Sequence, residues 1–213
     1  MATSELPSGT VTFLFSDIEG STRLLQELGD GYVALLQDHN RIFREVILEH
    51  EGAEVATEGD SFFVVFRSPL RAVDAAGEIQ QRLANQPFPA PVRVRIGLHT
   101  GQGQLAGGDY VGIDVHRAAR IAAAGHGGQI LVSDATRALV ESNLSASLSL
   151  LDLGPHRLKD LAHPERLYEL AVEGLPSKFP PPRSLDARPN NLPVQLTRFI
   201  GRESQIATSS VGY

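Results

Sequence analysis

Side chains repeat at helical spacing between residues 29 and 50, and this repeat constrains the fold more than any other feature of the sequence. It predicts one long amphipathic helix, whose inner positions are Tyr32, Leu35, Leu36, His39, Ile42, Phe43, Val46 and Ile47. A helix with an apolar stripe has to bury that stripe against another layer. Short β-branched and aromatic runs stand on both sides of it, at residues 10–15 and 62–66, so the expected partner is a β-sheet.

Turn residues and a second helical repeat extend this pattern into a β-α-β-β-α-β order. Residues 54–57 and 62–66 flank a Gly-containing turn, which predicts a hairpin. A second helix is expected over 69–83, followed by a strand at 92–98 with residues 102–106 as its candidate partner. The order predicts an α+β fold with a ferredoxin-like βαββαβ core, whose helices lie on one face of an antiparallel sheet.

The rest of the chain predicts additions to this core and then a tail. The additions are helices over 111–124 and 134–141 and strands over 129–133, 148–153 and 167–172. From residue 174 prolines crowd a stretch without periodicity, which is typical of a disordered linker. We therefore divide the 213 residues into a domain at 8–173, with C-terminal strand additions, and a Pro-rich tail at 174–213.

The composition indicates a globular protein and excludes several kinds of function. The net charge is −6 and no basic face is evident, so we expect no direct nucleic-acid binding. The absence of cysteine excludes disulfide bonds, thiolate metal sites and a cysteine nucleophile. No apolar run approaches the roughly 18 residues that span a bilayer, and the N-terminus lacks the basic segment of a signal peptide. We expect a cytoplasmic protein that does not enter a membrane.

Two aspartates stand at strand ends where they can share metal ions. Asp17 follows the first strand and Asp60 lies in the hairpin turn, and in a β-α-β-β sheet these strands can be neighbours. Carboxylate oxygens suit Mg²⁺ or Mn²⁺, and the Ile18 backbone carbonyl offers a further oxygen. Two ions held there would activate an attacking oxygen and neutralise a phosphate. The alternative is that each aspartate only caps its turn.

The turn after the first strand also favours a phosphate ligand. Gly20, Ser21 and Thr22 precede a helical stretch, which Ser21 or Thr22 can cap. Free backbone N–H groups at a helix N-terminus attract anions. We therefore predict that these three residues bind a triphosphate.

Four motifs occur in order along the chain. They are FSDIEGST at 15–22, EGDSF at 58–62, RIGLHTG at 95–101 and VHRAAR at 115–120. Together they resemble the class III nucleotidyl cyclase catalytic domain of the bacterial adenylate cyclase type. The resemblance covers residues 8–172, and four motifs in order are far more specific than any one of them.

The resemblance implies a homodimer with active sites at the interface. Asp17 and Asp60 of one subunit would hold two Mg²⁺ or Mn²⁺ ions, while the partner would supply the residues that read the base and stabilise the transition state. The ribose 3′-oxygen of ATP would attack the α-phosphate, so that pyrophosphate leaves and 3′,5′-cyclic AMP forms for intracellular signalling. Such phosphoryl transfer depends on positioning and charge neutralisation.

Four further residues stand at positions that this family uses for binding and catalysis. Arg120 matches the transition-state arginine and Asp109 the aspartate that selects adenine. Apart from these matches, Lys159 in a C-terminal hairpin can reach a terminal phosphate. His116 stands in place of the family's transition-state asparagine, and Ala56 in place of its adenine-reading lysine. Alanine cannot donate a hydrogen bond to the base, whereas a neutral imidazole still donates one. For Arg120, Asp109, His116 and Lys159, the alternative is an ordinary surface, turn or helix residue without a role in binding or catalysis.

The two departures leave a second function open, a weakly active or inactive cyclase-like module that binds nucleotide or dimerises as a regulator. Residues 190–203 resemble the start of a STAND-type regulatory ATPase domain, but the chain holds no phosphate-loop motif. The Gly-Gly-Asp-Tyr run at 107–110 resembles the signature of diguanylate cyclases. We predict that this run precedes a helix instead of turning a hairpin, which argues against that third function.

Overall fold

A computed structural model describes residues 6–187, which form one mixed sheet with helices on it. The strands are β1 (Gly9–Ile18), β2 (Ala53–Glu58), β3 (Ser61–Phe66), β4 (Val94–Ala106), β5 (Asp109–Val111), β6 (Ile130–Ser133), β7 (Leu148–His156) and β8 (Glu165–Val172). The helices are α1 (Ser21–Leu28), α2 (Gly31–Glu49), α3 (Pro69–Asn85), α4 (Ile113–Ala124) and α5 (Asp134–Val140). None of these helices has both the length and the apolar character needed to cross a membrane.

Four strands form the predicted ferredoxin-like core. β1 pairs antiparallel with β3 on one side and with β4 on the other, and β2 completes the core beside β3. β6 joins β4 in parallel, and β8 and β7 extend the sheet beyond it. The strand order is β2-β3-β1-β4-β6-β8-β7, with β5 paired to the end of β4. The α+β class and the C-terminal strand additions are therefore confirmed.

The helices cover both faces of the sheet, and the two helices of the core, α2 and α3, share one face as predicted. α2 and α3 bury one face in a core that includes Leu14, Phe43, Phe62, Ile79 and Leu98. On the opposite face α4 covers Phe13 and Val65 through Ala118. Gly97 of β4 permits this close approach, because a Cβ there would collide with the backbone of Ala122.

Glycines set two boundaries that differ from the sequence prediction. The turn after β1 holds a separate helix, α1, which ends at Gly29 with a φ of 53°. β4 is a single strand of 13 residues, so residues 102–106 do not return as its partner. The chain instead reverses at Gly107 and Gly108, both left-handed, and β5 pairs back onto β4. The run at 107–110 therefore turns a hairpin, contrary to the prediction.

The first part of the Pro-rich segment packs against the domain. The Arg183 N–H donates to the Ala124 carbonyl at the end of α4, at 2.8 Å, and the Arg183 guanidinium pairs with Glu19 after β1. Up to residue 187 the segment thus follows a fixed path, which differs from the disorder that its composition predicts. Residues 190–203, the predicted STAND-type stretch, lie outside the described residues.

Candidate active site

Strand pairing brings two carboxylates to one edge of the sheet, which we call the acidic edge (Asp17 and Asp60). β1 and β3 pair with Ser16 opposite Phe62, so the end of β1 lies beside the β2–β3 turn. There the Ile18 N–H donates a hydrogen bond of 2.9 Å to Asp60 Oδ2. The sequence predicts that these strands can be neighbours, and the pairing confirms it.

An arginine that sequence reasoning left out of the site holds Asp17. Arg95 faces Asp17 across β1 and β4, and its Nε and Nη2 donate to Asp17 Oδ1 and Oδ2 at 2.5 and 2.8 Å. The hydrogen bonds to Asp17 raise the pKa of Arg95 and outweigh the opposing effect of burial. Opposite charges at facing positions of neighbouring strands are the sequence signal that can find such a pair.

The N-terminus of α1 begins directly after the acidic edge. Gly20 occupies the N-cap position with a φ of 74°, and no side chain caps the helix, which corrects the capping role predicted for Ser21 or Thr22. A left-handed cap residue is favoured to be glycine because glycine has no Cβ. The Arg23 N–H already donates to the Gly20 carbonyl at 2.9 Å, whereas the N–H groups of Ser21 and Thr22 have no acceptor inside the helix and are available to an anion.

A buried histidine lies beneath the acidic edge. The His39 ring packs against Phe43 and Phe62, with centroids 4.6 and 5.8 Å away, and its Nδ1 lies 2.9 Å from Asn40 Oδ1. Burial lowers the pKa of His39, while Asn40 and the charge of Asp60 act in the opposite direction. The imidazole is therefore neutral at pH 7 and adds no positive charge to the edge, where Arg95 pairs with Asp17.

A buried polar network fixes the start of α4 to the sheet. His99 of β4 has its Nδ1 2.9 Å from Ser133 Oγ and its Nε2 3.3 Å from Asp114 Oδ1. Arg117 donates to Asp114 at 2.5 Å and to Glu165 at 2.7 Å. Sequence reasoning did not predict this network, because the partners of His99 are distant along the chain. The network sets the orientation of the helix that carries His116 and Arg120.

The predicted residues of α4 and β5 are not bonded to the acidic edge within the described part of the protomer. Arg120 Nη2 donates to Asp160 Oδ2 at 2.6 Å. His116 is exposed on α4, and Asp109 is exposed at the start of β5. Within residues 6–187, no hydrogen bond or ion pair joins these three predicted residues to the acidic edge.

The last two predicted residues are also exposed. Ala56 lies on β2 opposite Phe63, directly after an irregularity in the β2–β3 register. Lys159 lies in the loop between β7 and β8. The structure thus assembles Asp17, Ile18 and Asp60 with the α1 start that Gly20, Ser21 and Thr22 form, and it leaves Arg120, His116, Asp109, Ala56 and Lys159 elsewhere on the surface of the protomer.

The donor chemistry of the acidic edge fits Mg²⁺ or Mn²⁺. Two carboxylates and the Ile18 carbonyl are hard oxygen ligands, and Mg²⁺ in nucleotide sites is commonly held by one or two carboxylates plus substrate phosphates. In the described part of the chain, no three histidine or acidic side chains converge into a ready cation cage. A cation at Asp17 would compete with Arg95, because both Asp17 oxygens accept hydrogen bonds from it.

Known proteins are similar to this chain in sequence and in fold. Residues 4–166 match the family model of the adenylate and guanylate cyclase catalytic domain. An uncharacterised protein of Mycobacterium tuberculosis is 39% identical over 204 residues, which cover 94% of this chain and 70% of that protein. A receptor-type adenylate cyclase of Trypanosoma brucei brucei is 30% identical, over 79% of this chain and 17% of that protein. A solved Trypanosoma brucei adenylate cyclase, described in its monomeric state, is 29% identical with a TM-score of 0.70, over 85% of this chain and 97% of that one.

Proposed function

The chain belongs to the adenylate and guanylate cyclase catalytic domain family, and we propose that it is a metal-dependent adenylate cyclase that converts ATP to 3′,5′-cyclic AMP and pyrophosphate in intracellular signalling. The observation that carries the proposal is the hydrogen bond from the Ile18 N–H to Asp60, which sets two aspartates at one sheet edge. Because ATP is the substrate, we assign the activity to the cytoplasm. The acidic net charge supports a nucleotide and not a nucleic acid as partner.

In this proposal Asp17, Asp60 and the Ile18 carbonyl would hold two Mg²⁺ or Mn²⁺ ions per site. When bound, the ions supply charge neutralisation at the phosphates and activate the ribose 3′-oxygen. Asp17 then exchanges its bonds to Arg95 for bonds to a cation. The released guanidinium of Arg95 remains beside the triphosphate, where its planar array of N–H groups suits phosphate oxygens.

The start of α1 would bind the rest of the triphosphate. The backbone N–H groups of Ser21 and Thr22 lack helical acceptors, and Gly20 lets the chain turn without a side chain in the way. A helix N-terminus adds its partial positive charge to these donors. The residues therefore orient the phosphates so that the 3′-oxygen, the α-phosphorus and the leaving pyrophosphate can align.

A second subunit would complete the site. Arg120 would neutralise the charge that develops on the α-phosphate, His116 would donate to the ribose, and Asp109 would accept from the adenine amino group. Lys159 would reach the terminal phosphate. Asp109, His116 and Lys159 are exposed and Arg120 is partly exposed. Among residues 6–187 none of the four is hydrogen-bonded or ion-paired to the protomer's own acidic edge, which supports a homodimer with shared sites.

An assay of turnover tests the proposal. The purified chain is incubated with Mn²⁺ and either ATP or GTP, and cyclic nucleotides are quantified by mass spectrometry. We expect cyclic AMP from ATP in excess over cyclic GMP from GTP, and loss of product in Asp17→Ala. Asp38→Ala removes an aspartate that pairs with Arg41 on the surface of α2 and serves as the matched control. No cyclic product, or equal product from Asp17→Ala, refutes the catalytic proposal.

A second candidate function is a nucleotide-binding module with little turnover. Ala56 offers no hydrogen bond to the base, and His116 stands in place of the family's asparagine. In the protomer, Arg95 occupies the Asp17 carboxylate that would bind a cation. Calorimetry that detects nucleotide binding without product formation would favour this function. The double variant Ala56→Lys with His116→Asn should then raise turnover. If turnover does not rise, these two residues do not explain the low activity. The matched family, not the position of residues 107–110, argues against a diguanylate cyclase.

A further inference from the structure

Asp160 occupies a backbone conformation that disfavours an aspartate. Its φ is 63°, in the left-handed region, and glycine reaches this region without the steric cost that a Cβ brings. The chain nevertheless has a carboxylate here, and that carboxylate accepts a hydrogen bond of 2.6 Å from Arg120 Nη2. A residue kept in a sparsely populated conformation is a reason to ask what its side chain does.

The loop that carries Asp160 has a fixed position relative to α4. Leu158 is 2% exposed and packs with Ile121, which follows Arg120 on α4. The segment at 185–186 hydrogen-bonds both backbone groups of Arg157, at 2.8 and 2.9 Å. The Asp160 carboxylate is thus held at a defined place beside the helix and does not move on a loose loop.

The contribution of this pair to stability is too small to explain the aspartate. The Arg120 and Asp160 side chains are 37% and 59% exposed, and exposed ion pairs stabilise a fold very little. Glycine at position 160 would also remove the steric strain of the left-handed backbone. The bond uses only Nη2, and among residues 6–187 the Nε and Nη1 groups of Arg120 have no hydrogen-bond partner. Four of the five N–H bonds of the guanidinium are therefore left for another ligand.

We propose that Asp160 is a positioning residue, which fixes the Arg120 guanidinium through Nη2 so that its other N–H groups face the reacting phosphate. The inference rests on the proposed function, because Asp160 acts through Arg120. Without the carboxylate, the long Arg120 side chain regains rotamer freedom that has to be lost again in the transition state. We expect kcat to fall roughly fivefold to tenfold in Asp160→Gly, with the KM for ATP changed by less than about twofold.

Two substitutions separate the carboxylate from the backbone conformation. Asp160→Gly removes the carboxylate and the strain, whereas Asp160→Asn keeps an oxygen acceptor and tolerates the left-handed region. The kcat should fall in the order wild type, Asn, Gly, while Asp160→Gly melts no lower than the wild type. Asp152→Asn, which breaks an exposed pair with Arg166 in the same hairpin, should leave kcat unchanged. A wild-type kcat in Asp160→Gly overturns the proposal.

A double-mutant cycle tests whether Asp160 acts through Arg120. In an Arg120→Lys background, Asp160→Gly should change kcat by less than about twofold, because the group it positions is already gone. An undiminished loss in that background overturns the proposal.

Side-chain NMR relaxation of the Arg120 Nε–H group gives a readout that needs no turnover. The group should be ordered in the wild type, intermediate in Asp160→Asn and disordered in Asp160→Gly. Equal order in the wild type and Asp160→Gly overturns the positioning role whatever the activity. An inactive wild type whose Arg120 is released by Asp160→Gly refutes the proposed function and supports the anchoring contact.

Discussion

Arg95 and Asp17 face each other across the two central strands and share hydrogen bonds of 2.5 and 2.8 Å. Both oxygens of the Asp17 carboxylate are used in this pair, and the proposed chemistry needs the same oxygens for a cation. Ion pairing and cation binding therefore compete for the same two oxygens of Asp17. A stronger ion pair therefore raises the cation concentration that is needed to displace Arg95 from Asp17.

Removal of the Arg95 side chain should separate metal affinity from catalysis. In Arg95→Ala the Asp17 carboxylate no longer has a competing cation, so half-maximal activity should need several-fold less Mn²⁺. The rate at saturating Mn²⁺ should fall about tenfold or more, because a charge-assisted partner of the phosphates is lost. Titration of cyclic AMP production with Mn²⁺ measures both quantities in one experiment.

The matched control for this prediction is Arg93→Ala. Arg93 lies just before β4, two residues from Arg95, and its side chain is exposed. Its removal lowers the positive charge of the chain by the same amount without opening Asp17. A shift of the Mn²⁺ requirement that is equal in both variants would show that net charge, and not the Asp17 pair, sets the requirement.

Asp60 has two separable tasks, since it accepts the Ile18 N–H and carries a charge for the cation. Asp60→Asn keeps an oxygen acceptor and loses the charge, so stability should stay within about 0.5 kcal/mol while activity falls about 100-fold or more. Asp60→Ala also leaves the Ile18 N–H without its acceptor, which should cost about 1–3 kcal/mol. Urea unfolding and the cyclase assay compare the two variants. Equal stability of both would contradict the structural task.

The acidic edge could be predicted because it depends on local patterns joined by a topological rule. Asp17 and Asp60 each follow or precede a recognisable strand, and a βαββ order can place those strands side by side. The face that α4 covers was not predicted, although residues 10–15 form a nearly continuous apolar run. Such a run, in contrast to strict alternation, is typical of a strand buried on both faces.

The missed features all depend on contacts between residues far apart in sequence. Arg95 and Asp17 are 78 residues apart in sequence, and they meet only through the register of β1 and β4. Asp160 is left-handed in the β7–β8 loop, and although aspartate tolerates this region, its presence alone does not predict it. The fixed path of the segment up to residue 187 depends on Glu19 and Ala124 as partners, so composition alone predicts a linker.

A chain of buried hydroxyls joins three elements of the core. Thr100 Oγ1 of β4 lies 2.9 Å from Thr12 Oγ1 of β1 and 2.9 Å from Thr136 Oγ1 of α5, and all three residues are at most 5% exposed. Thr100→Val leaves neighbouring hydroxyls without their central partner, which should lower the free energy of unfolding by about 1–3 kcal/mol. Thr10→Val, at an exposed position of β1, should change it by less than about 0.5 kcal/mol. Urea unfolding of both variants checks this, and unchanged stability in Thr100→Val would mean that other groups satisfy those hydroxyls.

His39 should make the fold less stable in mild acid. Burial lowers its pKa in the folded state, so the unfolded chain binds a proton at a higher pH than the folded chain does. Stability therefore falls as the pH drops below the unfolded value of about 6.5, by up to about 1.4 kcal/mol per pH unit for one histidine. Asp60 and Asn40 oppose the shift and reduce the effect without reversing it.

A histidine-free variant at this position tests the sign. Urea unfolding at pH 7.5 and pH 5.5 should show a smaller loss of stability in His39→Phe than in the wild type, whatever the absolute stability of the variant. The dependence of stability on pH will not vanish in His39→Phe, because burial also lowers the pKa of His99. His163→Gln, at an exposed position in the β7–β8 loop, should keep the full wild-type dependence. If His39→Phe loses as much stability as the wild type between the two pH values, the imidazole is protonated in the folded core and the neutral assignment is wrong.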